Sequence, residues 1–240
     1  MNRKYEFTGE TTNYFGHTLH RIKAISSFGS VKKGDIGGWI ESEENLSASG
    51  NAWVFGNAWV SDDARVFGNA WVSDDARVSG NAWVSDNARV SGNAWVSGNA
   101  WVSDDAWVSD DARVSGNAWV SGKAWVSGKA WVSGKARVSD DAWVSGKARV
   151  SGNAWVSGNA GVSDDALVCG EYDFITMGPI GSRSDITTFY HLKQGGIGVN
   201  CGCFNGTLDE FETAVHETHA GTEHEKAYMA AIRMAMRVLK

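Results

Sequence analysis

From Ala52 to Val168 the apolar positions recur with a period of six. An alanine opens each of twenty consecutive hexads and a valine stands two places on, with no break in either column. The position between them is Trp at twelve sites, Arg at six, and Gly161 and Leu167 at the other two. A period of six does not keep one face of a 3.6-residue helix aligned, so this region is not helical. In an extended segment the first and third residues point to the same side, which puts Ala and Val inside and the middle residue outside. After each valine comes a residue that is usually Ser, then Gly-Asn, Asp-Asp, Asp-Asn or Gly-Lys. Gly, Asn and Asp tolerate the left-handed backbone angles that turn a corner. Short strand and corner alternating every six residues predict a triangular parallel β-helix of 18 residues per coil, between six and seven coils long. At about 4.8 Å per coil the rod is ~30 Å long. Each valine stacks on the valine one coil on, and the two rod ends are open sheet edges that the flanks must cap.

The hexad Val-Ser-Gly-Asn-Ala-Trp resembles the hexapeptide signature of the left-handed parallel β-helix family, across about half the chain. That resemblance implies a left-handed coil. The flanking stretches "GDIGGWIESEENLS" and "CGCFNGTLDEF" resemble uncharacterised phage, prophage and bacterial hexapeptide-repeat proteins. Many relatives of the family are acyltransferases that use a histidine base on the β-helix. No histidine lies between His20 and His191, so acyl transfer is not carried over to this rod.

The pattern divides the chain into an N-terminal cap, 1–45, the repeat body, 46–169, and a C-terminal module, 170–240. In the cap, "KYEFTGE" and "HTLHRIKAI" alternate like strands, and His17 and His20 read as polar cap residues. In the module, "DFITM", "TTFYHL" and "GIGVNCGCF" predict three strands, the last placing Cys201 and Cys203 on one face with Ile197 and Val199. Thr207 then reads as the N-cap of a first helix, and a second runs from about Glu223 with Tyr228, Ala231, Ile232, Ala235, Met236 and Leu239 at core spacing. The module is a small α+β unit, βββαα.

Residues one coil apart lie above one another, so the middle positions form three outward columns. One column alternates Trp with Arg from Trp59 to Arg149, which predicts guanidinium–indole contacts worth ~0.5–1 kcal/mol each. The other two each hold an unbroken triple, Trp107-Trp125-Trp143 and Trp83-Trp101-Trp119. These six tryptophans form a sector rich in indole, read either as a stiffening ladder or as a contact face for a protein partner or a second copy.

Composition narrows the alternatives. A net charge of −6, with −3 over residues 46–169, fits neither a nucleic-acid partner nor a mimic of a duplex. There is no apolar run long enough for a bilayer and no secretory signal at "MNRKYEFTGE". The three cysteines, an odd number, point to a reduced, cytoplasmic setting. The Asp-Asp corners read as turns rather than calcium sites. Cys201, Cys203 and His216 are candidate zinc ligands, although Cys-x-Cys with irregular histidine spacing matches no standard zinc pattern. Ser182, Arg183 and Ser184 lie in "GPIGSRSD", which reads either as an anion-binding turn or as an ordinary loop. No residue is singled out as catalytic and no cofactor is implied. The expected function is a non-catalytic interaction or scaffold protein, with a phage-encoded factor binding a host protein or small molecule as one form of it. The alternatives are an enzyme confined to the C-terminal module and a glycan-binding rod.

Overall fold

A computed structural model describes residues 3–239. Each hexad forms a two-residue rung, from Trp53–Val54 to Leu167–Val168, giving rungs β4 to β23. The rungs stack in parallel on three faces. One face has seven rungs and runs from Trp53 to Gly161; the second runs from Trp59 to Leu167; the third has six and runs from Arg65 to Trp155. Register is eighteen residues throughout, as in Trp101↔Trp119 and Val102↔Val120. The fold is therefore a β-solenoid of the predicted period. Trp101 N–H donates to the Ala118 carbonyl at 2.9 Å and Ser103 N–H to Val120 at 3.0 Å, so the ladder runs along the rod axis. Every repeat Ala and Val is at most 1% exposed, which makes the interior a column of two residue types.

The corners turn where the sequence places Gly or Asp. Asp104, Asp110 and Asp140 all have φ near +60° (59, 59 and 60°), and Gly98 and Gly116 have 69 and 70°. An L-residue in this region is strained, and Asp is among the few that accept it. Each of these aspartates also has a specific partner. Asp104, Asp110 and Asp140 accept from the N–H of Gly122, Gly128 and Gly158, one coil on, at 3.1, 3.0 and 3.1 Å. Asn side chains form a second ladder, Asn81 to Asn99 to Asn117, at 3.1 and 3.0 Å. The corner letters are thus both turn formers and rungs of a polar ladder.

The N-terminal strands β1 (Tyr5–Tyr14), β2 (His17–Ala24) and β3 (Ile36–Ile40) pair antiparallel and continue the second face, with Trp39 alongside Trp59. They also fold over the open end of the rod. The Lys4 ammonium donates to the carbonyls of Ala52, Gly50 and Ser49 at 2.7, 3.3 and 3.4 Å, and burial pushes its pKa down to about 8. Trp53 departs from the outward rule: it is 0% exposed, enclosed by Tyr5 and Phe28 at ring distances of 6.2 and 5.4 Å. Its rung points outward like the rest, but the cap lies on top of it.

The C-terminal module has four strands, not three. They are β24 (Phe174–Ile180), β25 (Asp185–His191), β26 (Ile197–Cys201) and β27 (Phe204–Thr207), in that order in one antiparallel sheet. "GIGVNCGCF" is a hairpin whose turn is Gly202-Cys203, so Cys203 does not share a strand face with Cys201, Ile197 and Val199. The positive φ of Gly202, 57°, ends the expected single strand. Helices α1 (Leu208–His219) and α2 (Glu223–Val238) follow. Alternation along the strands sorts the two sides of the sheet. Phe189 and Val199 pack with Phe211, Val215, Tyr228 and Ile232 of the helices, while Tyr190 joins the rod core. Tyr228, Ala231, Ile232, Ala235 and Leu239 are buried, but Met236 is 54% exposed because it lies one position off that stripe.

Thr207 caps α1 in a reciprocal box with Glu210, and Glu225 accepts from Gly221 N–H and pairs with His216 at 2.6 Å. The backbone N–H groups of Thr207 and Gly221, respectively, hold the Glu210 and Glu225 carboxyls below their ordinary value of 4.5. Folded pKa values below the unfolded ones give stability that is present above the unfolded value and lost as pH falls through the folded one. Acid titration from pH 5 downward is expected to reduce helical circular dichroism before the β signal of the rod. A Glu210→Gln, Glu225→Gln double variant should show a weaker acid dependence.

Candidate functional site

The outward tryptophans are anchored as well as exposed. The indole N–H of Trp101, Trp107, Trp119 and Trp125 donates to the hydroxyl of Ser85, Ser91, Ser103 and Ser109, at 3.3, 3.0, 3.5 and 3.1 Å. The spacing is always sixteen residues, so each ring reaches back over the preceding coil. Trp95, Trp131 and Trp155 do the same with Ser79, Ser115 and Ser139. Where the acceptor position holds Phe55 or Phe67, the next indole, Trp71 or Trp83, packs on the phenyl ring at 5.1 or 5.8 Å. This role for the fourth residue of the hexad was not read from the sequence. A serine that recurs beside every tryptophan cannot be told from one that merely starts a corner.

Within the sector, Trp101/Trp119 and Trp107/Trp125 are stacked pairs, each with centroids 5.4 Å apart and planes 11° apart. Trp83 meets Trp101 edge-on at 66°. Trp143 pairs in register with Trp125 but has no ring contact among the described residues, so the expected triples are pairs with one differently oriented member. Parallel stacking covers the ring faces and leaves the hydrocarbon rims outward. The indole–guanidinium contacts are also redistributed. Arg149 lies over Trp131 at 4.9 Å and Arg77 over Trp59 at 5.8 Å, but Arg89 serves Trp71, and Arg137 reaches both Trp119 and Trp155 at 5.7 and 5.9 Å. Arg113, between Trp95 and Trp131 in the alternating column, makes no such contact among the described residues. Exposure does not separate the columns either: Trp95 is 40% exposed and Trp131 37%, against 39% for Trp101 and 43% for Trp125. What distinguishes the sector is contiguity. Its two faces flank one edge of the prism, with the corners Ser103-Asp104-Asp105 and Ser121-Gly122-Lys123 between them.

In the C-terminal module, Ser182, Arg183 and Ser184 form the turn between β24 and β25, and Ser184 has a φ of 50°. Ser182 and Arg183 line a cleft of 360 Å³ with Cys201, Cys203, Phe211, His219 and Tyr228. Ser184 is not among its lining residues. The Arg183 guanidinium donates to Cys203 Sγ at 3.8 Å, and Thr187 Oγ1 and Tyr228 OH meet Cys201 Sγ at 3.1 and 3.8 Å. Burial, with the neighbouring Cys201 thiol, pushes the Tyr228 hydroxyl up to about 12. The proposed zinc set does not assemble. Cys201 and Cys203 are separated by the hairpin turn, His216 is held by Glu225 on the helix pair, and the three do not share metal-ligand spacing. Among the described residues the one group with metal-ligand spacing is His17, Glu41 and Asp62, at the far end of the molecule. A second cleft, 890 Å³, runs under the last coil between Cys169, Asp173, His191 and the start of α1. No helix among the described residues is long and apolar enough to cross a membrane.

Residues 58–74, 70–86, 82–98, 112–128 and 148–164 match the family model of the YdcK Beta solenoid repeat. All five stretches lie inside the rod, each about one coil long, and none includes the cap or the C-terminal module. No curated protein matches the chain.

Proposed function

We propose that the protein is a non-catalytic interaction module: a rigid, capped rod that associates through the two indole-rich faces flanking one edge. The observation that carries this reading is the state of the indoles. The N–H groups of Trp101, Trp107, Trp119 and Trp125 are satisfied internally by serine, so what each ring presents is its apolar rim. A contiguous apolar surface of this kind marks interfaces, and Trp is their favoured anchor. Covered ring faces suit a protein surface better than a sugar ring, which stacks on an open face. A second copy of the rod shares the ~4.8 Å coil spacing, so the rims of one copy fit between those of another. The flanks' resemblance to uncharacterised phage, prophage and bacterial hexapeptide-repeat proteins makes a host protein the other partner considered.

Changing Trp101, Trp119 and Trp125 together to Ser is expected to abolish self-association in native mass spectrometry and sedimentation. The β-rich circular dichroism should persist, because Val and Ala still fill the core. The matched control is Trp95 and Trp131 to Ser, similarly exposed but on the alternating Trp/Arg face, which should leave association unchanged. Equal association in wild type and the triple variant would make the tryptophans purely structural.

A second reading rests on the 360 Å³ cleft, where Arg183, Cys203, His219 and Tyr228 converge beside Phe211. Arg183 offers a donor to an anionic group and Asp185 lines the same cleft, so the lining suits a small ligand that carries charges of both signs. If the cleft rather than the rod carries the function, Arg183→Ala removes it while the Trp variants do not.

A further inference from the structure

We infer that the protein binds a divalent transition-metal ion where the N-terminal hairpin meets the first coil, with His17, Glu41 and Asp62 as its ligands and water completing the coordination. The three residues come from separate elements: the start of β2, the residue after β3, and the first aspartate corner of the rod. Each offers one donor atom, and the three donors lie within 4.8 Å of one another. His17 Nδ1 is 3.0 Å from Glu41 Oε1, and Nε2 is 3.7 Å from Asp62 Oδ1. An ion held tetrahedrally at ~2.0–2.1 Å separates its ligand atoms by about 3.4 Å; because Glu41 faces Nδ1 and Asp62 faces Nε2, the imidazole turns to bring one nitrogen toward both carboxylates as the ion binds.

The carboxylates are oriented for this role. Glu41 Oε2 accepts from Asp62 N–H at 2.7 Å, and Asp62 Oδ2 accepts from Gly80 N–H at 2.8 Å. Both Glu41 oxygens face His17 Nδ1, at 3.0 and 3.1 Å, and one oxygen of each carboxylate is held by a backbone N–H, the arrangement by which outer hydrogen bonds position metal ligands. Among the described residues neither carboxylate pairs with a Lys or Arg; His17 is the only basic side chain beside both, and it gives up its proton to act as a ligand. A neutral imidazole and two carboxylates leave a local charge that a divalent ion neutralises. The imidazole favours Zn²⁺, Co²⁺ or Ni²⁺ over Mg²⁺ and Ca²⁺, which take oxygen ligands. All three side chains are about one-third exposed, so the ion enters from solvent. Because the ligands span cap and rod, the ion binds only the folded junction and stabilises it by linkage.

The test uses the full chain, stripped with chelator and titrated with Zn²⁺ and separately with Co²⁺ by calorimetry, with melting temperature read in parallel. The expected result is one saturable site and a metal-dependent rise in melting temperature. His17→Gln should lower the affinity at least tenfold and remove the rise. Asp62→Asn should do the same while remaining folded, because Asn accepts the left-handed corner and still receives the Gly80 N–H. A Cys201→Ser, Cys203→Ser variant should bind as wild type does, and bound Co²⁺ should show no thiolate charge-transfer band. The assignment is overturned by absence of saturable binding in wild type, by unchanged affinity in Asp62→Asn, or by loss of binding in the cysteine variant.

Discussion

Trp53→Ala is expected to destabilise the N-terminal end of the rod by about 3–5 kcal/mol, the usual cost of emptying a buried indole site. The same change at Trp95, in the same place in its hexad, should cost about 1 kcal/mol or less. The difference is environment. Trp53 is fully enclosed by Tyr5, Phe28 and the cap, and a Cβ on Gly37 would stand 2.6 Å from its ring, so the pocket is shaped to the indole. Trp95 lies on the surface with its N–H on Ser79. Trp53 Nε1 has no hydrogen-bond partner among the described residues, so Trp53→Phe should retain most of the stability that Trp53→Ala loses. Coils in a solenoid contact only their neighbours, so the loss is local. Amide exchange should accelerate in the cap and around Val54 and Val72 while the middle coils stay protected. Similar urea midpoints for Trp53→Ala and Trp95→Ala would show that the cap does not seal this end.

The coil was legible because one rule repeats twenty times, and any single hexad confirms the phase of the others. Val102 and Val120 are in register because both occupy the third place, with no long-range information needed. The flanks have no such redundancy. "GIGVNCGCF" has the alternation of one long strand, and only the glycine in left-handed conformation at position 202 makes it a hairpin. That single turn is also why Cys201 and Cys203 read as strand neighbours when the second lies in the turn. The group formed by His17, Glu41 and Asp62 was invisible for another reason. Its members are separated by 24 and 21 residues, and only the folding of the cap onto the first aspartate corner brings them together. His17 looked like an ordinary polar cap residue because its partners belong to other elements. The pairing of seven indoles with a serine sixteen residues back was hidden by uniformity, since the letters recur whether or not the bond forms.

The exceptions to the hexad rule carry the rest of the architecture, and Gly161→Trp tests this most directly. Restoring tryptophan there completes the column that begins at Trp53, and on the repeat alone it should be neutral. The structure predicts the opposite. Gly161 N–H donates to Thr188 Oγ1 at 3.1 Å, and a Cβ on Gly161 would meet the Asn200 side chain at 3.0 Å. The C-terminal sheet lies where the indole would go. Docking there also uses Ser163 with Tyr190 and Asn205, and burial of Tyr190 against the last coils. An indole cannot be accommodated without lifting the sheet, at a cost above ~3 kcal/mol, the range reserved for severe overpacking. Gly161→Ala should cost less, because its φ is ordinary and only the Asn200 side chain must yield. In Gly161→Trp the module should undock yet stay folded, since Phe189, Val199, Phe211 and Ile232 pack on each other and not on the rod. Proteolysis around the exposed Tyr172 should then increase sharply, and exchange should rise at Val162 and Val168 but not at Val199. Unchanged proteolysis in Gly161→Trp would mean that the sheet does not rest on this face, and that the missing tryptophan is accidental. Retained docking in Gly161→Ala with loss in Gly161→Trp would establish that a gap in the Trp/Arg column marks where another part of the chain is seated.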